Sequence, residues 1–202
     1  MLKIKEKTST VVFKESLKLF KLSTRRIIFL IVIGILFYPF LKYLAFGNLS
    51  AVVVTSKLAL NLNNILIPTF AVIITGYAIF QALASGPTLI RMISVNHGKD
   101  LNKFAVYNLY FFGLSIIYLI LLIINFVILL CVDMVDPNWS LKLFSNSTNE
   151  HLICILITVY LLTVINFVIE LKSFIWNLLQ IFLTNGASAA TEYLVEQKKT
   201  GK

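Results

Sequence analysis

Four long apolar runs dominate the pattern of hydrophobic and polar positions along this chain. They cover Ile27 to Phe46, Ile65 to Ala84, Phe104 to Val132 and Leu152 to Leu183. About 20 helical residues cross the hydrocarbon core of a bilayer. The pattern therefore predicts an all-α, polytopic membrane protein whose four transmembrane helices form one domain, residues 27–184.

A basic amphipathic segment, residues 1–26, precedes this domain, and a cytoplasmic tail, residues 185–202, follows it. Residues 9–25 place basic side chains on one helical face and apolar side chains on the next. This predicts an interfacial helix on the inner leaflet, capped by Ser9 or Thr10. Its predicted contacts with anionic lipid headgroups are Lys14, Lys18, Lys21 and Arg25.

Polar residues recur along the fourth span at spacings of three and four, which places them on one helical face. Hydrocarbon leaves polar side chains without partners, so such a face must meet protein or water. We call this face the polar seam, and it predicts a subunit, pore or bundle interface. Its members are Thr163, Asn166, Glu170, Ser173, Asn177, Gln180 and Thr184.

Glu170 is the seam residue whose chemistry matters most. As a functional group it attracts cations or carries a proton; as a structural group it pairs with Arg25, Arg26 or Arg91. We favour the structural role. Its depth in the membrane depends on whether Trp176 marks the inner headgroup region.

The second span carries small residues four apart, Ala78, Ala82 and Gly86, which permit close approach of another helix. We favour packing within the fold over a dimer motif. The third span carries a sparser polar stripe, which we expect to pair with the polar seam. Its members are Asn108, Ser115, Tyr118 and Asn125.

Prolines and glycines predict where helices bend, begin and end. Pro39 predicts a kink in the first span, and Pro68 predicts the first turn of the second, after an outer loop of residues 47–64. Asn185 and Gly186 predict the end of the fourth, followed by a short polar helix.

Composition agrees with a membrane location, since 58% of the 202 residues are hydrophobic and only 13% are charged. The net charge of +9 is concentrated before the first span, between the second and third, and in the tail. Basic excess marks the cytoplasmic side. We therefore expect a multi-pass membrane protein with both termini in the cytoplasm, and no direct nucleic-acid binding.

No catalytic or cofactor-binding motif stands out, and we predict a non-enzymatic protein without cofactor or metal. The histidines His97 and His151 fall on opposite sides of the membrane in the predicted topology. Cys131 and Cys154 lie near the outer ends of their spans, where a disulfide would be compatible with the compartment. We favour two free thiols.

Three functions fit these features. The first is a homo-oligomeric subunit that assembles through its third and fourth spans, acts as a sensor or scaffold, and presents its basic segments to a cytoplasmic protein partner. The second is a channel or pore-forming effector lined by the polar seam, and the third is a small transporter module.

The stretch Ile74 to Ile93, ITGYAIFQALASGPTLIRMI, precedes a short basic loop and an aromatic-rich third span. This arrangement resembles the central hairpin of small four-span bacterial membrane proteins encoded in anti-phage defence loci, among them the membrane subunits of Kiwa systems. The resemblance covers residues 65–130 and implies an inner-membrane oligomer that senses phage infection with a cytoplasmic, nucleic-acid-binding partner.

Overall fold

The computed structural model describes residues 8–47, 49–95, 101–137, 139 and 144–201. Its regular elements are helices throughout this part of the chain. They are α1 (Ser9–Leu17), α2 (Thr24–Pro39) with a π-helical continuation (Phe40–Ala45), α3 (Ala51–Leu83), α4 (Gly86–Ser94), α5 (Lys103–Asp133) and α6 (Asn146–Lys199). Parts of three predicted segments lie outside the described residues. They are residues 1–7 of the basic segment, residues 96–100 of the loop between the second and third spans, and Lys202 of the tail.

Four helices are long and apolar enough to cross a membrane, as predicted. They cover Thr24–Leu44, Ala51–Leu83, Lys103–Asp133 and Asn146–Lys199. The first passes from α-helical to π-helical geometry directly after Pro39. Proline lacks the N–H that the regular ladder requires, so a change of hydrogen-bond register at this point has a local cause.

The predicted outer loop is wrong, because residues 51–64 form the first turns of α3. Ser50 begins this helix, and its Oγ accepts a hydrogen bond from the backbone N–H of Val53 at 3.4 Å. Pro68 therefore lies inside α3 and not in its first turn. A buried side of the helix continues past the proline, and packing of such a side outweighs local propensity. It includes Leu62, Leu66, Ile73 and Phe80.

The predicted end of the last helix is also wrong, since α6 continues through Asn185 and Gly186 to Lys199. The Asn185 side chain accepts a hydrogen bond from the Thr88 hydroxyl at 2.8 Å, which holds it within the helix. Ile181 and Ser188 are buried on either side. Packing on both flanks offsets the roughly 1 kcal/mol that glycine costs a helix interior.

The chain divides into two compact units. The terminal unit consists of residues 1–21, 70–117 and 171–202. The internal unit consists of residues 22–69 and 118–170. An aromatic cluster forms the core of the terminal unit, with Phe80 at its centre. Its other rings are Tyr77, Phe104, Tyr107, Phe111 and Phe174.

A single interfacial helix over residues 9–25 is not observed. Helix α1 ends at Leu17, and its cap residue is Thr8 in place of the predicted Ser9 or Thr10. Ser16 is fully buried against Gly113 of α5, so α1 packs on protein. Phe20 extends this contact, with its ring centroid 5.3 Å from that of Tyr110.

Gly113 allows this packing because it has no side chain. A Cβ at this position would lie 2.5 Å from Ser16 Oγ. We expect Gly113→Ala to weaken the α1–α5 contact by about 1–3 kcal/mol, the usual cost of overpacking. Hydrogen–deuterium exchange of residues 9–17 measures this loss as faster exchange.

Gly186→Ala is the matched control, because a Cβ there meets no atom within 4 Å. It should leave the exchange of α1 unchanged and slow exchange in α6, since alanine favours helix. Equal exchange of α1 in the two variants would contradict the assigned role of Gly113.

Candidate functional site: a buried ion pair in the polar seam

None of the seven residues of the polar seam is exposed in the structure. Glu170 is buried, and the other six are half-buried. The seam thus points toward the chain's own helices over its whole length. Trp176, the residue expected to mark the inner headgroup region, is 59% exposed on a different side of α6. Burial by protein, and not the register set by Trp176, determines the surroundings of Glu170.

Helix α2 brings an arginine to the seam. Ser23 begins this helix, and its Oγ accepts a hydrogen bond from the backbone N–H of Arg26 at 3.3 Å. Once the helix starts here, Arg25 and Arg26 point in different directions. Arg25 is exposed, whereas Arg26 is half-buried.

Arg26 forms an ion pair with Glu170 through its Nη1 atom. Its Nη2 atom donates a hydrogen bond to the backbone carbonyl of Asn166 at 2.7 Å. The guanidinium therefore contacts two positions one turn apart on α6. The side chains are only 15% and 9% exposed. Of the three arginines that the sequence offers as partners, the structure selects Arg26.

This arrangement neutralises the only seam carboxylate in a poorly hydrated setting. A planar guanidinium matches a carboxylate and a carbonyl with fixed N–H directions. The pair lowers the cost of holding either charge among apolar helices. A carboxylate so paired is less suited to attracting cations than an unpaired one, which agrees with the structural role favoured from the sequence.

Three buried polar atoms lie on residues of this site or near it without a hydrogen-bond partner among the described residues: Arg26 Nε, Asn166 Oδ1 and the Tyr118 hydroxyl. Glu170 also acts electrostatically on the Tyr118 hydroxyl. Unsatisfied groups are costly when buried. The ion pair thus lies in a wider polar region that is only partly satisfied, and Arg26 Nε belongs to the unsatisfied part.

Two further contacts hold α2 against α6 within the internal unit. Gly34 lies opposite Leu162, whose Cδ1 would be 3.0 Å from a Cβ at the glycine. Nearer the other end, the Tyr38 hydroxyl lies 2.7 Å from His151 Nδ1. The Tyr38–His151 pair was not predicted from the sequence. Its signal was a tyrosine in the outer half of the first predicted span and a histidine at the outer start of the fourth.

The remaining seam residues differ in how they satisfy their polar atoms. The hydroxyls of Thr163 and Thr184 donate to carbonyls of their own helix, at Val159 and Gln180, over 2.8 and 2.7 Å. These two residues therefore need no partner from elsewhere. Ser173, Asn177 and Gln180 are half-buried.

The polar stripe of the third span, now on α5, forms its side-chain hydrogen bonds elsewhere than on the seam. Asn108 accepts hydrogen bonds from Tyr77 and Gln81 of α3, at 2.6 and 2.9 Å. Asn125 is fully buried and donates to the Ala59 carbonyl and the Asn63 side chain, at 2.9 and 2.6 Å. The expected pairing of stripe and seam is wrong for both asparagines.

Residues of α6 still reach Asn125, but from outside the seam. The Tyr160 hydroxyl donates to Asn125 Oδ1 at 3.1 Å. Ser115 bonds to the Phe111 carbonyl of its own helix at 2.9 Å. Asn125 finds its partners on α3 because that helix extends back to Ala51, through residues predicted to form a loop.

The small residues of the predicted second span do not make the packing assigned to them within the chain. Ala78, Ala82 and Gly86 are all exposed, and a Cβ on Gly86 would meet nothing within 4 Å. Gly76 makes the close contact instead, because a Cβ there would lie 2.3 Å from the Phe174 ring. Gly86 serves the backbone, with a φ of 52° at the start of α4.

The remaining predictions concern the basic side chains, the two cysteines and metal binding. The basic side chains Lys14, Lys18, Lys21 and Arg25 are exposed, on α1, its cap, the following segment and α2. Cys131 and Cys154 are both free thiols, exposed and buried respectively, as favoured. No group of side chains suited to a metal ion occurs among the described residues.

The comparisons with known proteins give no relative. No family model matches the chain, and neither the curated proteins nor the solved structures contain a significant match.

The ion pair predicts a specific energetic coupling. Arg26→Met or Glu170→Leu alone should destabilise the protein by about 3–5 kcal/mol, because each leaves one buried charge without its partner. The double variant should recover much of this loss, since no charge then remains. Thermal unfolding in detergent, analysed as a double-mutant cycle, measures the coupling.

Arg25→Met provides the matched control, because Arg25 is exposed beside Arg26 on the same helix. We expect it to change stability by less than about 0.5 kcal/mol, as surface substitutions usually do. Additive losses in the double variant would show that Arg26 and Glu170 do not act as a pair.

Proposed function

We propose that this chain is a non-enzymatic subunit of a bacterial inner membrane that assembles with itself and acts as a sensor or scaffold for a cytoplasmic protein partner. The observation that carries the proposal is the continuity of α6, which has 54 residues. At 1.5 Å per residue this is about 81 Å of helix. A bilayer with its headgroups is about 40–45 Å thick, so α6 supplies both a span and a long projection.

The end of α6 has the character of a docking surface. Every described residue from Thr191 onward is exposed. Tyr193, Leu194 and Val195 are exposed large apolar side chains between the charged residues Glu192 and Glu196. Apolar side chains clustered on a charged segment favour contact with another protein. Under the positive-inside rule, the lysines at the tail favour a cytoplasmic position for this surface.

Self-association is supported by an exposed row of small residues on α3. Ala71, Thr75, Ala78 and Ala82 recur every three or four residues and are all exposed. Small residues at such spacing let two membrane helices approach closely. Because the polar seam faces the chain's own helices, this row is the surface that we propose for contact between copies.

The alternatives receive less support from the same features. A channel would need the polar seam to face water, yet its carboxylate is paired with Arg26. A transporter would need helices broken near the middle of the membrane, whereas the break before α4 follows the full length of α3. The resemblance of Ile74 to Ile93 to proteins of defence loci favours phage infection as the stimulus.

The assembly surface can be tested with Ala78→Leu combined with Ala82→Leu. Larger side chains would prevent close helix approach, so we expect the detergent-solubilised assembly to shift to monomer by multi-angle light scattering. The control is Ile74→Leu combined with Ile79→Leu, two exposed positions outside the row. An unchanged assembly size in the Ala78→Leu, Ala82→Leu variant would show that copies of the chain do not meet at this row. Ion conductance by the reconstituted protein would favour the channel.

The docking surface predicts a separate effect. We expect Leu194→Ser to weaken binding of a cytoplasmic protein encoded beside this chain by about tenfold, or about 1.4 kcal/mol. Binding to the full chain in nanodiscs measures this. Thr191→Ser, at an exposed polar position one turn earlier, is the control. The two variants binding equally well would place the partner elsewhere.

A further inference from the structure

An apolar cavity lies within the internal unit, between the first half of α3, the second half of α5 and the first half of α6. Its volume is about 510 Å³, which lies in the range of small-molecule sites. Each of the three helices contributes lining side chains, for example Ala59 from α3, Ile128 from α5 and Ile157 from α6. Trp139, which follows α5, also lines the cavity. The site is distinct from the ion pair.

The polar groups in the wall are already used. The Thr55 hydroxyl donates to the Ala51 carbonyl at 2.7 Å, and the Tyr160 hydroxyl donates to Asn125 at 3.1 Å. The remaining lining is almost entirely aliphatic. Among the described residues, no charged side chain contributes to it. An occupant would therefore gain from burying hydrocarbon and would find little to compensate a buried polar group.

The volume of the cavity favours a slender occupant over a helix of a second copy. A helix with a diameter of about 10–12 Å and a rise of 1.5 Å occupies roughly 120–170 Å³ per residue. A volume of about 510 Å³ corresponds to three to four such residues, about one turn. A slender, flexible chain fits this space better than a helix does.

The surroundings supply one such chain. All three helices are of membrane-spanning length and hydropathy, so we expect the hydrocarbon of the bilayer beside the cavity. Trp139 in its lining is half-exposed, and tryptophan favours the level of the headgroups. We propose that this cavity binds one acyl chain of a bilayer phospholipid, with Trp139 packed near its headgroup end.

Cys131 allows the proposal to be tested with little disturbance, because it lines the cavity and its side chain is exposed. Cys131→Phe fills part of the cavity, and Cys131→Ser preserves its volume. Trp176→Phe in both variants leaves Trp139 as the sole tryptophan reporter, since the chain has two.

Phospholipid with brominated acyl chains is titrated into the detergent-solubilised full chain, and quenching of Trp139 fluorescence is recorded. We expect saturable quenching near one lipid per chain for Cys131→Ser, and binding weakened by about tenfold for Cys131→Phe. Native mass spectrometry should show the same loss of a retained phospholipid. Ala51→Phe, at another lining position, should repeat the effect, with circular dichroism checking that each variant is folded.

Three outcomes would overturn the proposal. One is equal quenching and equal lipid retention in the serine and phenylalanine variants. Another is quenching that rises with lipid concentration without saturating, which would indicate non-specific contact with the surrounding lipid and no bound phospholipid. The third is a change in assembly size in place of lipid retention, which would make this region an interface between copies.

Discussion

Burial of charge among apolar helices is the constraint on which this structure depends most. A carboxylate in the fourth span and an arginine at the start of the first would each be costly alone. Together, Glu170 and Arg26 satisfy one another, and Arg26 also reaches the Asn166 carbonyl. Helix α2 has few other buried residues in its apolar window. The ion pair therefore contributes much of what aligns α2 with α6, along with the Gly34 and Tyr38 contacts.

Polar side chains act in the same way elsewhere, because hydrophobic burial does not distinguish protein from lipid inside a membrane. Asn125 joins α3, α5 and α6 in the internal unit, and Asn108 joins α5 to α3 in the terminal unit. Close contacts at Gly76 and Gly113 add van der Waals packing. What these contacts leave exposed, the small-residue row of α3 and the end of α6, is what the proposed assembly and docking use.

The sequence predicted the helical class and the four long apolar helices, because these follow from composition and spacing. It failed where a tertiary contact outweighed a local signal. Pro68 and Asn185–Gly186 are reliable breakers in isolation, yet α3 and α6 continue through them. The predicted helix of residues 9–25 is interrupted because Ser16 packs on Gly113 and Ser23 begins a new helix.

By itself, then, the sequence determined that most of the chain is apolar helix and that one helix carries a continuous polar face. Periodicity reveals a face but not what lies opposite it, because partners come from residues distant along the chain. Only the tertiary structure decided that Arg26 pairs with Glu170 and that Asn125 forms hydrogen bonds to α3. It likewise decided that Ala78 and Ala82 are exposed. The cavity beside Trp139 likewise exists only once three helices are packed around it.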